Sequence, residues 1–193
     1  VFVELIEENK QGKKNYTYTI DEYKNVKIAE IINPRLTIKN AKLMKIVLDN
    51  GEEIRCTLNH KFMLRNNEYK EAQELKSGDS LMPLYTRISA KEEYSKDLSG
   101  YRLILQPEKK EWIFAHILAD TYNIEKGIYA KAEGRVRHHK DFNKLNNNPE
   151  NIQRMQWAEH FKLHSALIKI RHETDFDYIK KIAKGRKEFW SKT

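Results

Sequence analysis

Residues 135–165 read RVRHHKDFNKLNNNPENIQRMQWAEHFKLHS, and this stretch decides how the chain is read. A histidine pair (His138, His139), an asparagine-rich turn (Asn143 to Asn148), a further asparagine (Asn151) and two more histidines (His160, His164) fall within one supersecondary unit. Imidazole is both a metal ligand and a base that works near neutral pH. So many imidazoles in so short a run suit a divalent ion beside a phosphodiester, with a base placed to activate water.

The charge around this stretch points the same way. Arg135 to Thr193 holds 14 Lys/Arg against 7 Asp/Glu, whereas Val1 to Gly134 holds 22 against 21. Almost all of the net charge of +8 therefore sits in the last third. A one-sided basic segment is the electrostatic footprint of a nucleic-acid binder, and double-stranded DNA is the expected partner. A solvated, charge-laced helical surface is the plainer alternative.

Composition narrows the class further. The chain of 193 residues is 39% hydrophobic and 33% charged, enough for one ordinary domain or two small ones with a real core. No apolar run approaches the roughly 18 residues of a membrane span, and no signal-peptide pattern opens the chain, so no membrane partner and an intracellular location are expected. The one cysteine, Cys56, builds neither an intrachain disulfide nor a four-cysteine zinc site.

Outward from the histidines, the chain divides in two. Residues 1–87 look β-rich: Asn15 to Ile20, Val26 to Ile31 and Leu43 to Leu48 alternate with period two. Asp49-Asn50-Gly51 between Leu43–Leu48 and Glu53–Thr57 is a strong hairpin signal, and Asn66-Asn67 marks a second turn. Residues 88–100 are polar and predict a linker. Tyr101 to Leu105 reads as a strand, and Glu111 to Tyr122 places Ile113, Phe114, Ile117, Leu118 and Tyr122 at helical spacing. Ala158 to Arg171 and, roughly, Asp177 to Trp190 predict two further helices, the last one basic.

Arg135 to His164 resembles the HNH endonuclease family, in the branch typical of phage and homing enzymes. The pattern VRHHKDFNKLNNNPENIQ, followed by WAEH and KLH, carries the likeness. It implies a ββα-metal unit in which a hairpin holds His138 and His139 and a helix holds His160 and His164. By that resemblance His139 is the general base, and His138 and His160 match the metal-ligand positions. Asn151 matches the family's middle asparagine, which fixes the loop that orients the base. His164 is expected to add a ligand or contact the scissile phosphate. Many relatives carry an aspartate at the position of His138; the nitrogen ligand leaves Mg²⁺ favoured but admits Mn²⁺, Co²⁺ or Ni²⁺. The expected phosphate contacts are Arg135, Arg137, Lys140, Lys144, Lys162, Lys180, Lys181, Lys184, Arg186 and Lys187. An ordinary structural role is expected for His116 and His172, a turn-forming role for most of Asn146 to Asn148, and a packing role for Trp112, Trp157 and Trp190.

The first half carries its own resemblance. Residues 43–84 look like the splicing (Hint) domain of inteins, through Thr57-Leu58-Asn59-His60 and the downstream Leu75-Lys76-Ser77-Gly78-Asp79-Ser80-Leu81. In that family the block histidine polarises the N-terminal scissile peptide bond and the threonine helps hold it, which implies those roles for His60 and Thr57. An intein needs Cys or Ser at its first position and a terminal His-Asn. With Val1 and a FWSKT end, the chain as given is expected not to splice unaided, and to be the middle of a longer intein, one piece of a split intein, or a segment trimmed around the nuclease.

The fold class expected is α+β: a β-rich partial Hint-like domain (1–87), a linker (88–100), a ββα-metal nuclease domain (101–172) and a basic helical DNA-binding extension (173–193). The leading expectation is an intein-associated HNH homing endonuclease that nicks or cuts double-stranded DNA with a divalent metal. The alternative is a split-intein fragment that trans-splices with complementary intein fragments and carries a decayed nuclease. A DNA-binding module without catalysis is the third reading.

Overall fold

Alternating side chains at Tyr16–Ile20 and Val26–Glu30 form an antiparallel hairpin, β1–β2, in register from Tyr16 opposite Glu30 to Ile20 opposite Val26. In the computed structural model, residues 2–94 and 98–191 are described. The hairpin follows a helix, α1 (Phe2–Lys10), which the β-rich reading of residues 1–87 missed. Two more hairpins follow: β3 (Leu43–Val47) with β4 (Glu53–Thr57), and β5 (Lys61–Met63) with β6 (Tyr69–Glu71). Their turns sit where Asn and Gly permit left-handed backbone, with Gly51 at φ +82° and Asn67 at φ +70°. Between residues 31 and 84, only Cys56 and Ala72 are buried among the described residues. That segment of the β-rich part is a set of separate two-stranded hairpins.

The main core lies elsewhere. A three-stranded sheet, β7 (Thr86–Ile88), β8 (Arg102–Gln106) and β9 (Glu111–Phe114), leads into helix α2 (Ala115–Glu125). The helix predicted from Glu111 starts at Ala115, because Glu111–Phe114 pairs with Leu103–Gln106 as a strand. Ile113 and Phe114 satisfy both periodicities, so the apolar pattern alone does not separate them. The segment predicted as a linker is also structured at its ends. Ile88 belongs to β7, and buried Ser89 accepts from the Tyr101 amide (2.9 Å) while its hydroxyl donates to the Leu98 carbonyl (2.6 Å). Residues 95–97 of that segment lie outside the described residues.

Val26, Ile28, Ile104, Ala115, Leu118, Ala119, Tyr122 and Ile152 make one buried cluster, so hairpin β1–β2 packs on α2 across the boundary expected at residue 87. Each fully buried aliphatic side chain here contributes about 1.5–3 kcal/mol. Gln106 ties the two parts by a polar clasp: Val26 N donates to its Oε1 (2.7 Å), and its Nε2 donates to Val26 O (3.1 Å).

Beyond α2 come a hairpin of β10 (Val136–His139) and β11 (Ile152–Met155), then helices α3 (Trp157–Thr174) and α4 (Phe176–Trp190). Among the described residues no helix is long and apolar enough to cross a membrane. One carboxylate anchors the hairpin to α2. Asp120, 1% exposed, accepts from Arg154 Nε (2.6 Å) and Nη2 (2.7 Å), from Arg137 Nε (2.7 Å) and from the Tyr129 hydroxyl (3.1 Å). Arg154 also donates to the carbonyls of Gly134 (2.6 Å) and Lys131 (3.1 Å). Burial opposes the charge on Asp120, but the hydrogen bonds from Arg154 and Arg137 outweigh it and hold the carboxyl below its ordinary range. Beside it, Asn123 Nδ2 donates to Pro149 O (2.8 Å), pinning the turn before β11.

Asp120→Ala would leave the buried Arg154 guanidinium without its counter-charge. The expected cost is about 3–5 kcal/mol, measured as a fall in the urea midpoint of the apoprotein; a shift within error would mean the hairpin does not depend on this pair.

Candidate functional site

Strand β10 puts His138 and His139 on successive positions, so their rings leave opposite faces of the hairpin. His138 faces α3. Its ring centroid lies 5.4 Å from His160 and 5.4 Å from His164, and those two, one helical turn apart, are 4.4 Å from each other. One ring nitrogen from each of His138, His160 and His164 falls within 4.8 Å of the others. Phe142, in the left-handed region at φ +60°, packs edge-on to His138 (5.0 Å) and His164 (5.5 Å). Helix α3 starts in place because the Gln156 amide donates to Glu159 Oε2 (2.9 Å).

His139 faces the other way. Its ring sits 5.8 Å from Tyr101 and 5.5 Å from His116, and its Nε2 lies 3.3 Å from Asn147 Oδ1. With the amide oxygen accepting, Nε2 carries the proton and Nδ1 keeps the lone pair. The loop between the strands is a chain of side-chain-to-backbone turns centred on Asn151. Asn151 Nδ2 donates to Asp141 Oδ1 (2.8 Å) and Asn146 O (2.8 Å), and its Oδ1 accepts from the Asp141 amide (3.1 Å). Asp141 in turn accepts from Asn146 Nδ2 (2.6 Å) and the Asn143 amide (2.8 Å). Asn151 thus holds the loop, while Asn147, expected only to form a turn, is the amide that reaches the His139 ring.

The electrostatics keep these rings neutral. Burial, then repulsion from His160 and His164, pulls His138 down to about 4. Burial lowers His139 and, together with His164, lowers His160. Imidazole nitrogens converging on one point can present lone pairs to a cation, so the donor set fits a divalent ion. His164 completes that set. The cluster contains no carboxylate.

The structure treats the other expected site residues unevenly. Arg137, opposite Arg154 in the hairpin, joins the Asp120 network through its Nε. Lys140 folds back to donate to Glu150 O (2.8 Å), and Lys144 sits over the Tyr101 ring (4.6 Å). Arg135, Lys162, Lys180, Lys181, Lys184, Arg186 and Lys187 are exposed. Thr57 closes β4 and His60 follows a tight turn, with its amide donating to Thr57 O (3.1 Å) and its exposed ring edge-on to Phe62 (5.0 Å). The packing role expected of the tryptophans holds for Trp112, which lies under Arg87 (4.7 Å). It fails for Trp157 and Trp190, 69% and 71% exposed on helices with no buried residue. Asp120, Asn123 and Arg154 are positioning residues that motif spacing missed; two polar residues three apart inside an apolar helix were their one sequence signal.

Comparison with known proteins gives the wider setting. A sequence-family model described as the intein splicing domain matches residues 2–189. The DNA gyrase B polypeptide of Synechocystis sp. (strain ATCC 27184 / PCC 6803 / Kazusa) is 47% identical over 175 residues, which is 90% of this chain but 16% of that relative. The family likeness bears on protein splicing, which the sequence carried as the alternative reading, and neither likeness bears on DNA hydrolysis.

His116 supplies a pH prediction. Burial first, then His139 and Arg137, holds it down at about 4 against 6.5 for a free imidazole, and its Nδ1 is buried with no hydrogen-bond partner among the described residues. Below pH 6.5 the unfolded chain takes up a proton that the folded one refuses, so this contribution is present above 6.5 and is lost as pH falls to about 4. His116→Phe should therefore make the urea midpoint decline less steeply over that window; an unchanged slope would contradict the burial argument.

Proposed function

The chain belongs to the intein splicing domain family, and from that membership we propose that it is part of a protein-splicing element carrying its own DNA nuclease. The identity to a gyrase B polypeptide across so small a share of that relative fits an element lodged within a gyrase-like host. Splicing is peptide-bond rearrangement, and in this proposal the β3–β4 hairpin and its trailing Thr57-Leu58-Asn59-His60 form the block that handles the N-terminal scissile bond. His60, exposed at the turn, is placed to donate to that bond, and Thr57 braces it. Cys56 is buried in β4 and is no candidate nucleophile.

The nuclease reading assigns β10, β11 and α3 to a ββα-metal unit of the HNH type. The observation that carries it is the convergence of His138, His160 and His164 next to an independently held His139. His138, His160 and His164 would hold a divalent ion, which would supply positive charge for the charge that builds up at the phosphate and the departing oxygen. His139 takes the proton from the attacking water through its free nitrogen, with Asn147 fixing the ring. Asn151 keeps the Asp141–Asn148 loop from collapsing onto the site. An all-imidazole donor set moves the preference from Mg²⁺ toward Mn²⁺, Co²⁺ or Ni²⁺. With one active site per chain, double-strand cutting needs a dimer or a second binding event.

His139→Ala should lower metal-dependent DNA cleavage by roughly 10²–10⁴-fold while DNA binding in EDTA is retained, and chelating the ion should stop wild-type cleavage. Undiminished cutting by the variant would refute the base assignment. Because Lys and Arg side chains on α3 and α4 are the proposed phosphate contacts, affinity should also fall by roughly several tens-fold between low and moderate salt, read by anisotropy. A flat response would remove these helices from the DNA-contacting surface.

A further inference from the structure

Helix α3 presents two contrasting strips to solvent. Trp157, Phe161 and Ile168 fall on one, 69%, 65% and 49% exposed. Ala158, Lys162, Ser165 and Lys169 recur along the adjoining strip, which carries two lysines and meets a carboxylate, Glu173, only in the last turn. Neither lysine has an ion-pair or hydrogen-bond partner among the described residues. The aromatic strip runs directly past the histidine cluster, with the Trp157 ring 5.7 Å from His160 and tilted 35° to it. Large aromatic rings exposed to water are costly for a solitary helix face, and their place beside free cations identifies an occupant with flat apolar faces and negative charge.

We propose that Trp157 and Phe161 form a stacking platform for a nucleobase flanking the phosphate held at the His138/His160/His164 cluster, with Lys162 and Lys169 on neighbouring phosphates. The proposal rests on the nuclease reading of that cluster. With its ring 5.7 Å from a cluster histidine, Trp157 stands beside the nucleotides that adjoin a phosphate held at the cluster. Apolar wedges that enter a base step unstack it and bend the duplex, and base–aromatic stacking is tolerant of sequence. The platform therefore supplies affinity and a bend next to the scissile bond rather than base discrimination.

The test uses the full chain in EDTA with a short fluorescein-labelled duplex of mixed sequence, and heparin as a polyanion without bases. Trp157→Ala/Phe161→Ala should lose roughly tenfold or more in duplex affinity, with unchanged heparin affinity and an unchanged salt slope. Trp157→Phe should restore most of the loss, and duplex binding should quench tryptophan emission in wild type but not in Trp157→Phe. If the double variant binds duplex as wild type does while wild type still cuts DNA, the platform is wrong and the nuclease reading stands. Equal losses toward duplex and heparin, or a wild-type dimer that the double variant dissolves, would also overturn it, the latter making the strip a contact between two copies. Wild type that neither binds nor cuts duplex would bring down both readings.

Discussion

A carboxylate with almost no access to water, Asp120, holds both strands of the histidine hairpin against helix α2. Arg137 on β10 and Arg154 on β11 are cross-strand partners in that hairpin, and both guanidinium groups converge on this one acid. A two-stranded ribbon is at best marginal alone in water. Here it gains a polar clasp from beneath and an apolar one from Ile152 in the core. Asn123, one turn along α2, fixes the turn that leads into β11. Removing Asp120 leaves the buried Arg154 guanidinium without compensation, so the network hangs on that one acid.

How much of this was legible in the sequence depends on the range of the interaction. The hairpin strands, α3, α4 and the Asp49-Asn50-Gly51 turn follow from local periodicity and turn chemistry, and they lie close to where the pattern puts them. The placing of His138 on a hairpin and of His160 and His164 on the next helix was legible through the family resemblance, and the one-turn spacing of the last two is consistent with it. What escaped was non-local. Nothing local to Val26 and Ile28 says that they pack on α2, and nothing near Gln106 announces its clasp on Val26. Glu111–Phe114 was misread for a different reason: four residues that satisfy two periods at once are decided by their neighbour strand, not by themselves.

The aromatic residues show the limit of composition-based expectation. A tryptophan is usually packed, since its apolar area makes exposure unfavourable. Trp112 obeys, whereas Trp157 and Trp190 lie on helices that bury nothing. Helix α4 shares the feature, with Phe176 and Phe189 exposed at its two ends and Lys180, Lys184 and Lys187 between them. Large apolar side chains therefore stand on the surface of both successive helices.

The adjacency of His138 and His139 has a mechanical consequence. Because neighbouring residues on a strand point to opposite faces, one short backbone segment carries both the ring that joins His160 and His164 and the ring held by Asn147. Their separation is set by a peptide unit rather than by the packing of two independent elements. Any shift of β10 then carries both groups together relative to α3, which holds the other two rings of the cluster. The geometry that matters is therefore the seat of β10 on α2, and that seat is made by Arg137 and Arg154 on Asp120. Phe142 extends the same control: its left-handed backbone, costing about 1–3 kcal/mol, is held by its amide bond to His139 O and turns its ring against His138 and His164. The loop thereby places an aromatic wall behind the cluster.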